Sequence, residues 1–128
     1  MSVEPEALAT ACARLAEKIK GEDILVLHVE PLSSLTLYFV IASARNARQL
    51  KAMANEVEAG AKALGGRCLG TEGTPQCGWI LVDLGDVIVH LFNRATRAVY
   101  DLELLWGDAA RVEWKEDESG DQPRQKGQ

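Results

Sequence analysis

The stretch from Gly78 to Phe92, Gly-Trp-Ile-Leu-Val-Asp-Leu-Gly-Asp-Val-Ile-Val-His-Leu-Phe, constrains the fold of this chain more than any other. Two apolar runs rich in Val, Ile and Leu flank one tetrapeptide, Asp83-Leu84-Gly85-Asp86, that has the chemistry of a turn. Gly85 takes a positive φ without steric cost, and Asp83 can bond backbone groups two residues on, so a tight β-hairpin is expected. Trp79, Leu81, Val87, Val89 and Leu91 alternate with Ile80, Val82, Ile88 and Phe92, which makes both faces of both arms largely apolar. A strand pair of this kind must be covered on two sides or leave one side as a docking surface.

A chain of 128 residues is one domain by length and buries roughly two thirds of its unfolded surface on folding. Its 47% hydrophobic and 26% charged residues are those of an ordinary soluble domain. No apolar run approaches the roughly 18 to 20 residues that span a bilayer, so no membrane partner is expected. Net charge is −5 and the pI is near 5.0, with both signs mixed along most of the chain. That balance argues against direct, sequence-specific binding to nucleic acid, which wants a stripe of Lys and Arg, and suits a basic protein partner better. Cys12, Cys68 and Cys77 form neither a C-x-x-C pair nor, with only His28 and His90 to help, a zinc quartet. Free thiols in a reducing compartment follow. The N-terminus has no apolar signal core and carries Glu4 and Glu6, so the expected location is cytoplasmic.

In chain order, Leu8, Ala11, Cys12, Leu15 and Ile19 recur at helical spacing, which predicts a helix from Pro5 to Lys20. Asp23–Val29 is a near-continuous apolar run suited to a central strand, with His28 inside or at its end as a hydrogen-bonded structural residue. Glu30–Ser34 reads as a loop and Leu35–Ala42 as a second strand. Ser43 and Asn46 are both candidate caps for a long helix reaching about Leu64, with Leu50, Met53, Ala54, Val57, Ala61 and Leu64 on its buried stripe. Arg45, Arg48 and Lys51 near its start read as a solvated face. Arg67–Thr71 can form a short strand, followed by the loop Glu72–Gly78 and the hairpin. Trp79, at the end of that loop, reads equally as a recognition aromatic and as a core residue. Asn93–Leu105 is expected as one helix with Val99, Leu102 and Leu105 or Trp106 inward. The fold class is therefore α/β, a mixed sheet of about five strands flanked by helices, in one domain over residues 1–114. Residues 115–128, with the run Glu116-Asp117-Glu118, are expected as a disordered acidic and polar tail.

Catalytic chemistry finds little support. Cys68 or Cys77 with His90 and Asp83 lacks a nucleophile elbow. Gly60, Gly65, Gly66 and Gly70 space neither as G-x-G-x-x-G nor as a P-loop. A two-metal phosphoryl or nucleotidyl transfer site is the alternative enzyme reading. Asp83 and Asp86, however, stand three apart across a turn, not two apart on one strand face.

The segments Asp23-Ile24-Leu25-Val26-Leu27, Ser33-Ser34-x-Thr36-x-Tyr38-Phe39-Val40-Ile41-Ala42, Glu72-Gly73, Trp79 through His90, and Tyr100-Asp101-Leu102-Glu103-x-Leu105-Trp106 closely resemble the Iojap-like ribosomal silencing factor family. The resemblance spans Leu8 to Trp106 and implies a fold similar to that of nucleotidyltransferases without their active site. It also implies a non-enzymatic repressor of translation, with no cofactor, no metal and no catalytic residue. Its partner would be the large ribosomal subunit, bound through the fourteenth large-subunit protein so that the small subunit is sterically kept from joining. Carried over residue by residue, the partner-binding positions are Trp79, Asp83, Leu84, Gly85 and Asp86. The chain departs from the family at His28 and Leu37, where acidic residues are usual, and at Val99-Tyr100, where a tyrosine pair is usual. The loss of an acid at Leu37 puts in doubt a polar contact from the second strand. A homodimer through an apolar strand edge is compatible with the sequence.

Overall fold

Two long helices and a mixed six-stranded sheet dominate the computed structural model, which describes residues 3–30 and 36–115. The elements in order are α1 (Pro5–Lys18), β1 (Glu22–His28), β2 (Tyr38–Ala44), α2 (Ala47–Ala63), β3 (Gly70–Thr74), β4 (Trp79–Asp83), β5 (Val87–Asn93), α3 (Arg94–Tyr100), α4 (Leu102–Leu105) and β6 (Ala110–Arg111). The strand order is β3-β4-β5-β2-β1-β6. Only β2 and β5 pair in parallel; every other neighbour is antiparallel. The mixed sheet expected from sequence is present, with the two-residue β6 added at its far edge. Most of the loop expected at Glu30–Ser34, and the expected tail beyond Lys115, lie outside the described residues.

The hairpin sits inside the sheet: β4 pairs with β3 on one side and β5 with β2 on the other. Its register pairs Trp79 with Phe92, Leu81 with His90 and Asp83 with Ile88. Trp79 and Leu81 therefore share a face with Ile88, His90 and Phe92, while Ile80 and Val82 share the other with Val87, Val89 and Leu91. Simple alternation along each strand had grouped Trp79 and Leu81 with Val87, Val89 and Leu91. The turn length sets which arms' residues come together.

The face carrying Val82, Val87, Val89 and Leu91 is covered by α1 and α2. Leu8, Cys12 and Ala16 from α1 and Leu50, Met53 and Val57 from α2 join it in one buried core. Each such aliphatic side chain contributes roughly 2 kcal/mol on burial. The packing of α1 is carried more by Ala9, Ala13 and Ala16 than by Leu15 and Ile19, which are only partly buried. Small residues let the helix lie close to the sheet, so the stripe seen from bulky residues alone was displaced. Asn46 caps α2, its Oδ1 accepting from the Gln49 N–H at 2.8 Å. Ser43, the other candidate cap, lies in β2 and accepts from Arg97 instead.

The edge strand β3 is wholly exposed. It runs to Thr74, into the segment expected as a loop, because its backbone pairs with β4 from Gly70↔Asp83 to Thr74↔Trp79 whatever its side chains bury. Beyond β5, the single expected helix is two. Asp101 adopts a left-handed backbone (φ +46) that ends α3 and opens α4. Its N–H bonds the Arg97 carbonyl at 2.8 Å and its carboxylate accepts from the Leu104 N–H at 3.3 Å. The break turns Leu102 inward and leaves Val99, expected inside, in water; of the alternatives Leu105 and Trp106, Trp106 packs inward and Leu105 is exposed.

The entry to β4 is fixed by Gly78, whose carbonyl accepts from the Asn93 N–H at 2.9 Å. Its φ is +81, and a Cβ there would lie 2.4 Å from both Asn93 Nδ2 and Thr96 Oγ1, displacing the residue that caps α3. Gly78→Ala should therefore lower stability by about 2 kcal/mol in denaturant titrations. An unchanged midpoint would show that the cap and the turn tolerate the clash.

Candidate functional site

Opposite α1 and α2, the second sheet face mixes aromatic with aliphatic side chains. Leu27, Val29, Phe39, Ile41, Phe92 and Leu102 are buried there, with Trp79, Ile88, Trp106 and Ala109 partly buried against them. Among the described residues, its cover is α3, α4 and the residues that follow. Trp79 lies half-buried in this face. Its ring stacks on Phe92 at 5.0 Å between centroids and meets Tyr100 at 4.5 Å. One side of the indole thus packs inward while the residue remains accessible. Along β4, Trp79, Leu81 and Asp83 point the same way, and Glu72 on β3 stands opposite Leu81. Glu72, Gly73, Cys77, Trp79 and Leu81 line a shallow cavity of about 210 Å³.

Beneath the indole lies His90. The Trp79 Nε1–H donates to His90 Nδ1 at 3.3 Å, so that nitrogen is the unprotonated one and the neutral ring carries its proton on Nε2. His90 Nε2 is buried and has no hydrogen-bond partner among the described residues. A buried donor left unpaired costs about 1–3 kcal/mol. Burial also pushes the imidazole down to about 4, because a charge there would lose its hydration.

The turn at the other end of β4 uses its residues unequally. Asp83 Oδ1 accepts from the Gly85 N–H at 2.9 Å, Gly85 has φ +87, and the Leu84 N–H bonds the Val87 carbonyl at 2.9 Å. Leu84 is buried in the first core, whereas the Asp86 side chain is exposed. The Asp86 carbonyl accepts from the N–H groups of Leu37 and Tyr38, and the Gly85 carbonyl accepts from Thr36 Oγ1 at 3.1 Å, which tie the turn to the start of β2. Leu37 itself packs partly buried against the first core. His28, at the end of β1, stacks on Tyr38 and lies 3.3 Å from Glu30 Oε1.

The Tyr-Asp-Leu-Glu-x-Leu-Trp segment becomes a latch. Leu102 fills the second core, Trp106 meets Phe39 edge-on at 5.2 Å, and Glu103 pairs with Arg97 at 2.9 Å. The buried Arg97 also donates to Ser43 Oγ on β2 at 2.8 Å, so one guanidinium joins α3, α4 and the sheet. This latch holds Tyr100 (52% exposed) beside Trp79 and leaves Val99, Leu104 and Leu105 between 73 and 78% exposed. Leu81, Tyr100, Leu104 and Leu105 were not among the residues expected at the site. The motif containing Tyr100 was visible in sequence, but helical periodicity could not reveal that α3 breaks and turns these side chains outward.

The polar groups nearest the indole are already engaged within the protein. The Nδ1 of His90 is occupied by Trp79, and the Cys77 thiol lies against backbone atoms of Thr74 and Trp79. Among the described residues no three His, Cys, Asp or Glu side chains converge on a metal-sized space. A larger cleft of about 650 Å³, lined by Asn55, Glu58, Lys62, Arg67 and Cys68 among others, contains none of the expected site residues.

The family described as "Ribosomal silencing factor during starvation" matches residues 2–128. The chain is 39% identical over 105 residues to the ribosomal silencing factor RsfS of Chromobacterium violaceum, spanning 82% of this chain and 86% of that protein. It is 41% identical over 102 residues to RsfS of Bacillus subtilis, spanning 80% and 86%. A crystal structure of a C. violaceum protein superposes with a TM-score of 0.79 at 36% identity, covering 89% of this chain and 94% of that one.

The buried imidazole ties stability to pH. Its folded pKa of about 4 lies below the unfolded value of 6.5, so the unfolded chain takes up the proton first as pH falls. The neutral ring's contribution is complete above pH 6.5 and is lost as pH drops toward 4, by about 3 kcal/mol. Denaturant midpoints between pH 7 and 4 should fall more steeply for the natural chain than for His90→Phe. Parallel curves would mean that the imidazole is solvated.

Proposed function

The chain belongs to the ribosomal silencing factor family, and from that membership we propose that it docks on the large ribosomal subunit through its second sheet face and keeps the small subunit from joining. The contact is with the fourteenth large-subunit protein, in the cytoplasm, and the outcome is repression of translation. The mechanism is occlusion: the bound domain fills space that the small subunit needs, with no turnover and no cofactor.

The observation that carries this reading is the half-covered aromatic face. Trp79, packed on Phe92 and Tyr100 yet accessible, has the form of an anchor that can be desolvated by a partner. Leu81 and the outward side chains of α4 extend its apolar surround. Asp83 and Asp86 supply acidic groups at the end of the same strand, suited to Arg or Lys on a basic ribosomal protein. Within this reading Leu84 and Gly85 act by shaping the turn, since Leu84 faces the core and Gly85 holds the positive φ.

Sedimentation of purified subunits, at magnesium that favours joining, tests the proposal. The protein should travel with the large subunit and reduce joined ribosomes. Folded Trp79→Ala should bind about 30-fold more weakly, the equivalent of about 2 kcal/mol. If the natural chain stays at the top of the gradient and joining is unaffected, occlusion is wrong, and binding of a nucleotide with a divalent cation becomes the assay to run. Asp86→Asn should slow association several-fold at low salt, with little change in dissociation. Equal on-rates for the two proteins would remove the acidic turn from the interface.

A further inference from the structure

We infer that His90 is the positioning residue of the docking anchor: its Nδ1, by accepting the Trp79 indole N–H, fixes the orientation in which Trp79 is presented. The inference rests on the docking face proposed above and adds to it a residue that no partner touches, because His90 is 95% buried.

Trp79 is held in two ways. Stacking on Phe92 and contact with Tyr100 fix the plane of the ring, but aromatic contacts of this kind tolerate sliding and rotation within that plane. The hydrogen bond to Nδ1 is directional and selects one orientation. The imidazole is in turn immobile: it belongs to β5, in the middle of the sheet, is paired with Leu81 on β4 and Ile41 on β2, and packs edge-on against Phe39 at 4.7 Å. An acceptor mounted on a central strand is a fixed reference for a side chain at the edge of the exposed face.

The choice of side chain points the same way. If this position only filled space, an apolar residue such as its neighbours Val89 and Leu91 would do so without burying polar atoms. The histidine instead carries an Nε2–H with no partner among the described residues, and its edge-on contact with Phe39 offers at most a weak interaction with the ring face. That penalty is incurred to place Nδ1 under the indole. Burial keeps the imidazole neutral near pH 7, and the neutral form alone has a free lone pair on Nδ1.

Indole N–H resonances of the full chain test this. The three tryptophans give three signals, and Trp79 is identified by its loss in Trp79→Phe. In His90→Leu the Trp79 N–H should move upfield and exchange with solvent at least tenfold faster, and binding to large subunits should weaken about tenfold. His90→Asn, whose Oδ1 stands as many bonds from the backbone as Nδ1, should recover most of both. In the Trp79→Phe background, His90→Leu should have no further effect on binding. An unmoved Trp79 signal in folded His90→Leu overturns the inference, as does a moved signal with unchanged binding. If His90→Leu does not fold, the nitrogen spectrum of the natural chain still decides: a proton on Nδ1 overturns it. Failure of the docking face itself shows separately, as a natural chain that does not bind subunits at all.

Discussion

Everything in this molecule depends on a sheet whose central strands are apolar on both faces and whose two long helices both lie on one of them. β2 is buried along its entire length, and β5 is buried at every position but Ile88 and Asn93. Strands of that kind cannot be left bare on either side, since each exposed aliphatic residue forgoes a stabilising burial of roughly 2 kcal/mol. α1 and α2 satisfy one face with a close-packed core. Among the described residues, the other face is covered by α3 and α4, of seven and four residues, and the short segment after them.

Helices so short cannot hold themselves in place, because nucleation of a helical turn is unfavourable without tertiary support. The sequence supplies that support with Asp101, which ends one helix and caps the next, and with Arg97, which joins α3, α4 and Ser43. The result is partial cover. Leu102 and Trp106 close the face over Phe39, while Trp79, Leu81 and Tyr100 remain at its open margin. An apolar margin that water touches in the free protein is where a partner gains most by docking. The stability of the lid and the availability of the surface are thus set by the same few contacts around Arg97 and Asp101.

Within the site, geometry separates residues that sequence treats alike. Asp83 and Asp86 are equivalent on paper, yet one closes the turn on Gly85 and the other projects into water. Trp79 and His90 belong to one motif, but one is offered outward and the other works from below as an acceptor. Leu84, in the middle of the same motif, is a core residue.

The sequence by itself determined the hairpin, its turn at Asp83–Asp86, the long helix after the second strand, and the resemblance carried by those motifs, because each depends on local propensity, short-range hydrogen bonds or periodicity. Only the tertiary structure decided which face stays open. The register of β4 against β5 put Trp79 with Phe92 and His90, backbone pairing carried β3 as far as Thr74 despite its exposed side chains, and the left-handed Asp101 turned Leu102 inward and Leu105 out. Pairing register and a single reversed φ act between segments far apart or at one bond, and neither leaves a period in the sequence for a reader to find.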